Sequence, residues 1–438
     1  MLSQRNSPIE ASKPDRRNAC PGLSRMVMAK DGAIARIKLR LGRLSADQAR
    51  SIAAIAEHFD ASAIELSIRS NIQLRGIAPR YWNDLVAALY EASLGAENPG
   101  ADDIRNVMVS PTAGIDPSQI VDVTELASSV LNMLQANEVF YALSPKFSVQ
   151  IDGGEDCAMT SHPGDIWLSA MDRETFAFGL ASSPDKPALG AIEARHALPF
   201  IKAILQNFLR YGSFARMKHL FDTVSPSDFL ANLDKELPFP VHSTTGWKRK
   251  APSSFSHLGH HQQSDGSFYI GAMPLLGRLT PHQLTGLANL CDNAKRELRL
   301  TPWQGVILPY ISETRIVDLS KELHSFDLET SAESPHARLR ACSGSNGCAS
   351  ALADTQADGR KLATRLSPGT SCVHLTGCAK SCAALAPLPH TLRARSAGHY
   401  DLYMQESFPQ DGAGPSRFGR LLATDITIDK AAHLLNRH

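Results

Sequence analysis

The chain has 438 residues, 43% of them apolar and 20% charged, with 45 Lys and Arg against 44 Asp and Glu. This length predicts more than one hydrophobic core, and the balanced charge argues against binding of nucleic acid or a membrane surface through net charge. No run of 18 apolar residues is present, and residues 1–18 are polar. We therefore expect a cytoplasmic globular enzyme with a disordered N-terminus over residues 1–18, and with neither nucleic acid nor membrane among its partners.

Residues 33–69 predict a strand, a helix and a second strand. The run 33–39 is strand-like, and Ser45 is a suitable N-cap for the helix that follows. One face of that helix carries apolar residues at helical spacing, namely Ala49, Ile52, Ala53 and Ala56. The run 65–69 is again typical of a strand.

The middle of the chain predicts strands over 106–110, 147–151 and 166–171 and a helix over 123–134. A long helix is expected over 193–211, interrupted by Pro199. Residues 238–265 are rich in Pro, Ser and His, which is typical of a linker.

An internal repeat follows this linker. The sequence Leu41-Gly42-Arg43-Leu44-Ser45 recurs as Leu276-Gly277-Arg278-Leu279-Thr280, again before a predicted helix and between strand-like runs at 267–273 and 297–301. The second helix has an apolar face formed by Leu284, Leu287, Ala288 and Cys291, so Cys291 is expected in the core. The repeat predicts two half-domains that pair into one pseudo-symmetric α+β domain.

Five of the eight cysteines lie between residues 342 and 382, where a helix over 315–326 precedes them and strands are expected at 372–375 and 400–404. Two pairs, Cys342-x5-Cys348 and Cys378-x3-Cys382, are set among small residues that let backbone N–H groups approach sulfur. This favours an iron–sulfur cluster; zinc, which prefers two to four residues between ligands, and coincidentally buried cysteines are the alternatives. Cys372 precedes an apolar strand and is expected to pack. The roles of Cys20 and Cys157 stay unassigned.

A duplicated half-domain with these two cysteine pairs resembles the sirohaem-type sulfite and nitrite reductase superfamily, from about Cys20 to the C-terminus. The resemblance implies an α+β fold with two ferredoxin-like half-domains, at 19–95 and, with the linker, 238–312. It also implies two larger α/β lobes, at 96–237 and 313–438. By the same resemblance the second lobe carries a [4Fe–4S] cluster on Cys342, Cys348, Cys378 and Cys382, the last of which can bridge to sirohaem iron.

Further segments carry the resemblance to a tetrapyrrole site. The run 67–74 looks like a family motif that contains Arg69 and Gln73, and similar segments contain Arg105 and Lys146. Arg75 joins this set because guanidinium groups offer paired donors to tetrapyrrole carboxylates. In the Lys-Phe-Lys segment the second lysine is Ser148 here, and the run 215–218 matches a further family helix. No catalytic residue is assigned.

The runs 20–25, 71–76 and 299–303 are similar to the precorrin-3B synthase branch of this superfamily. The branch implies an oxidoreductase that converts precorrin-3A to precorrin-3B with O2, by C20 hydroxylation and lactone formation, in aerobic cobalamin biosynthesis. No G-x-G-x-x-G follows a predicted strand, so NADH-derived electrons are expected to arrive through an external donor.

Two other functions stay open at this point. One is a sirohaem-dependent sulfite or nitrite reductase of the same fold, and the other is a cluster-bearing electron carrier or sensor that is not an enzyme. The monooxygenase reading implies a non-haem iron that activates oxygen, for which histidine is a suitable ligand. The candidates are His257, His260, His261 and His374, although a His-rich segment is more often solvent-exposed and idle.

Overall fold

A computed structural model of the chain describes residues 20–291, 297–384, 387–405 and 418–437. The stretch 1–18, predicted to be disordered, lies outside the described residues. The described residues form two half-domain sheets and two lobe sheets. In sequence, half-domain and lobe alternate, as the resemblance implied.

The first half-domain is a helix-backed antiparallel sheet. Its elements are β1 (Val27–Ala29), β2 (Gly32–Ile37), β3 (Arg43–Ser45), α1 (Ala46–His58), β4 (Ala63–Leu66), β5 (Ile72–Ile77) and α2 (Trp82–Glu91). The predicted apolar face of α1 is buried. Ser45 caps the helix, because its hydroxyl accepts a hydrogen bond from the Gln48 N–H at 3.2 Å.

The first lobe contains a mixed sheet in which the first three strands run parallel. Its elements are β6 (Val107–Met108), α3 (Thr124–Ala136), β7 (Val149–Asp152), β8 (Ile166–Ala170), β9 (Thr175–Leu180), β10 (Gly190–Glu193), α4 (Ala197–Arg210), α5 (Met217–Leu220) and α6 (Pro226–Asp234). The helix predicted over 193–211 is therefore too long at its start. Pro199 does not interrupt α4, because it lies in the first turn, where a missing N–H costs nothing.

The second half-domain repeats the first. Its elements are β11 (Gly259–Gln262), β12 (Phe268–Pro274), β13 (Arg278–Leu279), α7 (Pro281–Leu290), β14 (Glu297–Leu300), β15 (Val306–Ile311), α8 (Ile316–Ser325) and β16 (Leu328–Glu329). The linker predicted over 238–265 is wrong from residue 259 onward, because β11 pairs with β12 despite its polar sequence. Thr280 caps α7 as Ser45 caps α1.

The two repeats share unusual backbone conformations at matching positions. Leu41 and Leu276 both adopt left-handed backbone, at φ 52° and 57°, and Gly42 and Gly277 follow at φ 72° in each copy. Left-handed backbone disfavours a leucine side chain, so its recurrence at both copies supports the duplication.

The half-domains exchange strands. β13 of the second copy pairs with β4 of the first, and β3 of the first pairs with β14 of the second. Helices α1 and α7 pack together above one shared hydrophobic core, in which Cys291 is buried as predicted. The two copies therefore form one domain.

The second lobe reproduces the sheet order of the first. Its elements are α9 (Pro335–Arg338), β17 (Leu339–Ala341), α10 (Gly344–Gly347), α11 (Thr355–Ala363), β18 (Val373–Thr376), β19 (His390–Ser396), β20 (His399–Met404), β21 (Arg420–Thr427) and α12 (Ile428–Leu435). Strands β17, β18 and β19 run parallel, and β20 and β21 return antiparallel. Each lobe thus offers the carboxyl ends of parallel strands at one edge.

Candidate functional site

Two of the predicted cluster ligands lie at the carboxyl edge of the second lobe. Cys342 directly follows β17, and Cys378 lies two residues beyond β18. Because these strands are parallel, their carboxyl ends meet at the same sheet edge. The Gly377 N–H donates to Cys342 Sγ at 3.3 Å, a contact that stabilises a thiolate.

The other two cysteines return to the same edge. The short helix α10 closes the segment from Cys342 to Cys348, which we call the cysteine loop, and the Cys348 N–H donates to Gly344 O at 2.9 Å. Burial raises the pKa of Cys382, and the neighbouring thiols of Cys342, Cys378 and Cys348 raise it further. All four sulfurs are therefore electrostatic neighbours.

Small residues make room beside these sulfurs. A Cβ atom on Gly377 would lie 2.5 Å from Ala351 Cβ and 3.6 Å from Cys342 Sγ. A Cβ atom on Gly344, which adopts φ 68°, would lie 2.7 Å from Thr355 N. Four soft sulfur donors, a backbone N–H aimed at sulfur and this space fit a thiolate-bound iron–sulfur cluster.

Within the described ranges, no three His, Cys, Asp or Glu side chains converge closely enough to hold a single metal ion. The assignment of the four cysteines as cluster ligands stays a prediction.

Cys372 lies away from the carboxyl edge. It precedes β18, whereas Cys378 follows that strand, and the four residues of β18 alone span about 13 Å. Burial raises the pKa of Cys372, and the nearby Arg340 and Arg338 oppose that rise. Its surroundings differ from those of the four predicted ligands.

Two of the predicted arginines, Arg69 and Arg105, border a small cavity of about 10 Å³ between the first half-domain and the first lobe. We call it the arginine pocket. It is lined by Leu39, Leu41, Gly42, Arg69, Ser70, Asn71, Arg105, Asn106, Val107, Met108 and Val109. The structure thus brings Arg69 and Arg105 together from segments that are separate in sequence.

Arg69 lies at this cleft and is half-buried. Burial lowers its pKa to about 10, and the nearby charge of Arg216 lowers it further. Its guanidinium donates to the backbone oxygen of Lys146 at 3.0 Å. The side chain of Lys146 is exposed and takes no part in this contact. A partly desolvated guanidinium of this kind is suited to an anionic ligand.

Arg105 is more heavily engaged. It donates to Asp102 at 3.3 Å and to the backbone oxygens of Leu94 and Gly95 at 3.1 and 3.3 Å. Its buried Nε atom has no hydrogen-bond partner among the described residues. Gln73 lies on β5, where its side-chain oxygen accepts from Arg36 at 2.9 Å.

Arg75 has a different setting from the other arginines. It is 5% exposed and donates to both carboxylate oxygens of Asp31, at 3.0 and 2.9 Å. It also donates to Gly347 O at 2.8 Å, and Glu65 lies 3.6 Å away. Arg75 therefore ties the first half-domain to the cysteine loop, and these contacts engage it without a tetrapyrrole.

The candidate histidines occupy two places. His257 is buried and stacks on Trp303 at 4.2 Å between ring centroids, while burial and then Arg340 and His261 hold its pKa well below the ordinary value. His260 and His261 lie on β11, within the predicted linker. His374 lies on β18, 3.4 Å from the Ser381 hydroxyl.

Sequence reasoning missed several polar groups beside Arg69. Asp165 accepts from Arg216 Nε at 2.7 and 2.8 Å, and Asp165 also accepts from the Ser148 N–H at 3.0 Å. His162 is buried nearby, and burial together with Arg69 and Arg216 lowers its pKa to about 4. No periodicity or spacing in the sequence could have revealed His162, because it lies in an irregular turn.

Among the described helices, none is both long and apolar enough to cross a membrane.

Two models of known protein families match this chain. The nitrite/sulfite reductase ferredoxin-like half-domain model matches residues 27–92 and 261–326, and the nitrite and sulphite reductase 4Fe-4S domain model matches residues 100–241. Together they cover more than half of the chain. The chain belongs to the nitrite/sulfite reductase superfamily. The 4Fe-4S domain match covers the first lobe, whereas the clustered cysteines lie in the second.

Individual relatives span both branches of the superfamily. A precorrin-3B synthase of Sinorhizobium sp. is 28% identical over 88% of this chain and 82% of its own length. A chloroplastic ferredoxin–nitrite reductase of Zea mays is 29% identical over 79% of this chain and 67% of its own length. The solved Mycobacterium tuberculosis NirA protein has the same fold, with a TM-score of 0.74 and 21% identity over 92% of this chain and 80% of that one.

Proposed function

We propose that this chain is an oxidoreductase of the precorrin-3B synthase branch. Precorrin-3A and O2 would be its substrates, with one oxygen atom entering as the C20 hydroxyl. A ring A acetate closes the γ-lactone, and the second oxygen atom leaves as water with two electrons that derive from NADH. The similarity to the Sinorhizobium protein covers more of both chains than the similarity to the plant reductase, which supports this branch.

The observation that carries the proposal is Ser148. A reductase that adds six electrons to sulfite or nitrite needs several protons delivered to the bound anion, and lysines serve that purpose. At the position where the superfamily motif has its second lysine, this chain has a neutral residue that is 1% exposed. A site that lacks this lysine ammonium is better suited to binding carboxylates than to supplying protons.

The cluster ligands belong to the same proposal. Cys342, Cys348, Cys378 and Cys382 would hold a [4Fe–4S] cluster at the carboxyl edge of the second lobe. When bound, the cluster supplies electrons one at a time. The residues around it stabilise thiolate charge through the Gly377 N–H, and Arg75 fixes the cysteine loop against the first half-domain.

The arginine pocket would orient the tetrapyrrole. Arg69 offers a desolvated guanidinium to a substrate carboxylate, and Arg105 lines the same cavity. Gln73, Arg75 and Lys146 stay weaker candidates, since Arg75 is engaged by Asp31 and the Lys146 contact to Arg69 uses its backbone.

A sirohaem-dependent sulfite or nitrite reductase is the second candidate, favoured by the 29% identity to the Zea mays enzyme. One spectrum of the anaerobically purified full chain separates the two functions. Broad cluster absorbance without a Soret band is expected for the proposed function. Intense Soret and visible bands of a bound isobacteriochlorin would contradict it, because there the tetrapyrrole is a resident cofactor.

The same preparation tests the metal content and the electron source. Four irons per chain are expected for the cluster, and a fifth is expected for a separate oxygen-activating iron. NADH oxidation is expected only when an external reductase is added, and rapid oxidation by the chain alone would contradict the external donor.

Serine variants test the ligand assignment. Replacement of Cys342, Cys348, Cys378 or Cys382 should abolish the cluster absorbance, because each would remove one of four ligands. Cys372→Ser is the matched control, since Cys372 lies at the opposite end of β18. Loss of the absorbance in this control would show that the ligand set is wrong.

A further inference from the structure

Two buried polar side chains of the first lobe lack hydrogen-bond partners among the described residues. Within the described residues, the Ser148 hydroxyl and the His162 Nε2 atom have none, although Ser148 is 1% and His162 3% exposed. A buried polar group without a partner costs about as much as a lost hydrogen bond, so each of these groups needs a partner that the described residues do not supply.

The two segments that carry these groups lie side by side, and we call them the wall. The Ser148 N–H donates to Asp165 at 3.0 Å, and the Asp165 N–H donates back to Ser148 O at 3.2 Å. The turn from His162 to Asp165 runs past this strand, so that a Cβ atom on Gly164 would lie 3.8 Å from Ser148 Oγ. The wall is fixed in place because Asp165 also holds Arg216.

The charge of this wall selects an anion. Arg69 donates to the backbone oxygen of Lys146 at 3.0 Å, two residues before Ser148, and Arg216 donates to Asp165 at 2.7 Å. Burial lowers the pKa of His162, and the charges of Arg69 and Arg216 lower it further. Asp165 is the carboxylate that faces them, and it is already paired with Arg216. Arg36 also lies near enough to lower the pKa of Arg69, so positive charge predominates here, which favours an anionic ligand over a metal ion.

We propose that Ser148 and His162 are binding residues that donate neutral hydrogen bonds to one carboxylate of the substrate while Arg69 supplies the charge. This inference rests on the proposed function, since it assigns a carboxylate-bearing tetrapyrrole to the arginine pocket. A hydroxyl and a neutral imidazole would orient the carboxylate that Arg69 binds, without adding a second positive charge. Ser148 stands where the superfamily motif has its second lysine, and the two neutral groups together favour a carboxylate arm over a small anion that needs protons.

The test uses uroporphyrin III, a stable tetrapyrrole with eight carboxylates, and sulfite as a small oxyanion. Binding to the anaerobically purified full chain is followed by porphyrin fluorescence and, for sulfite, by competition. His162→Leu should weaken uroporphyrin binding about tenfold or more, because one buried hydrogen bond to a charged group is lost. His162→Asn, which retains a donor, should restore most of the affinity, and Ser148→Ala should weaken it in the same direction.

His196→Leu is the matched control. His196 is a partly buried histidine of the same lobe that stacks on Phe239 at 4.2 Å, and uroporphyrin binding should be unchanged in this variant. Unchanged uroporphyrin binding in both His162→Leu and Ser148→Ala would overturn the proposal. An effect on sulfite alone would also overturn it, by assigning the wall to a small anion.

Failure of the proposed function has a separate signature. A resident isobacteriochlorin would be visible in the spectrum of the unmodified protein before any porphyrin is added. Should His162→Leu fail to fold, Ser148→Ala keeps the proposal testable, because it removes a single oxygen atom from the wall.

Discussion

The contact between Arg75 and Asp31 predicts a large and local loss of stability when the guanidinium is removed. Arg75→Gln leaves the Asp31 carboxylate without its two hydrogen bonds, and it leaves Gly347 O without its donor. The Arg75 side chain is 6% exposed and that of Asp31 is 17% exposed, so water replaces these contacts only in part.

The size of the loss follows from burial. Removing one partner of a buried ion pair costs about 3–5 kcal/mol, and the partial exposure of Asp31 places the expected cost near ~3 kcal/mol. The matched control is Arg210→Gln, which breaks a pair whose side chains are 57% and 49% exposed. Both of its side chains are solvent-exposed, so water screens their attraction and breaking the pair should cost little stability.

Urea unfolding under anaerobic conditions measures both variants. Arg75→Gln should shift the midpoint at least three times as far as Arg210→Gln, with a similar slope. It should also lower the iron and labile sulfide content, because Gly347 immediately precedes Cys348 in the cysteine loop. Equal shifts in the two variants would refute the view that Arg75 is a structural tie between half-domain and loop.

Two further predictions concern other buried groups. Burial and the neighbouring Asp152 carboxylate raise the pKa of Glu155. The folded state therefore keeps a proton that the unfolded state releases. Because of this difference, the melting temperature should fall as pH rises from 5 to 8. Glu155→Gln should flatten that fall, and parallel curves for the two proteins would contradict the assignment. Gly377→Ala should reduce bound iron severalfold, because its Cβ atom would lie 2.5 Å from Ala351 Cβ. Full iron content in this variant would show that the cluster site tolerates a methyl group at residue 377, which would contradict the prediction.

Local features of the fold were predictable from the sequence, and contacts between distant segments were not. The apolar face of α1 and the caps at Ser45 and Thr280 depend on residues within one or two turns, so periodicity and residue type suffice. The strand β11 was missed because its residues are polar, and its place is set by pairing with β12.

The same distinction holds for the candidate site. Arg69 and Arg105 border one cavity, as the resemblance implied. The sequence could not predict that Arg75 donates its hydrogen bonds to Asp31 and to Gly347, because Gly347 is 272 residues away along the chain. His162 carries no pattern at all in the sequence. Only the folded arrangement brings it beside Arg69.

The exchange of strands between the half-domains also sets the order of events during synthesis. Strand β4 cannot find its neighbour β13, nor β3 its neighbour β14, until the first lobe and the second repeat have left the ribosome. At about 5–20 residues per second, the wait is on the order of 10–50 s. The nascent first half-domain therefore exposes the β4 edge of its sheet and leaves β3 unpaired for that time. The first lobe, whose five sheet strands all lie within it, can fold ahead of the domain that precedes it in sequence.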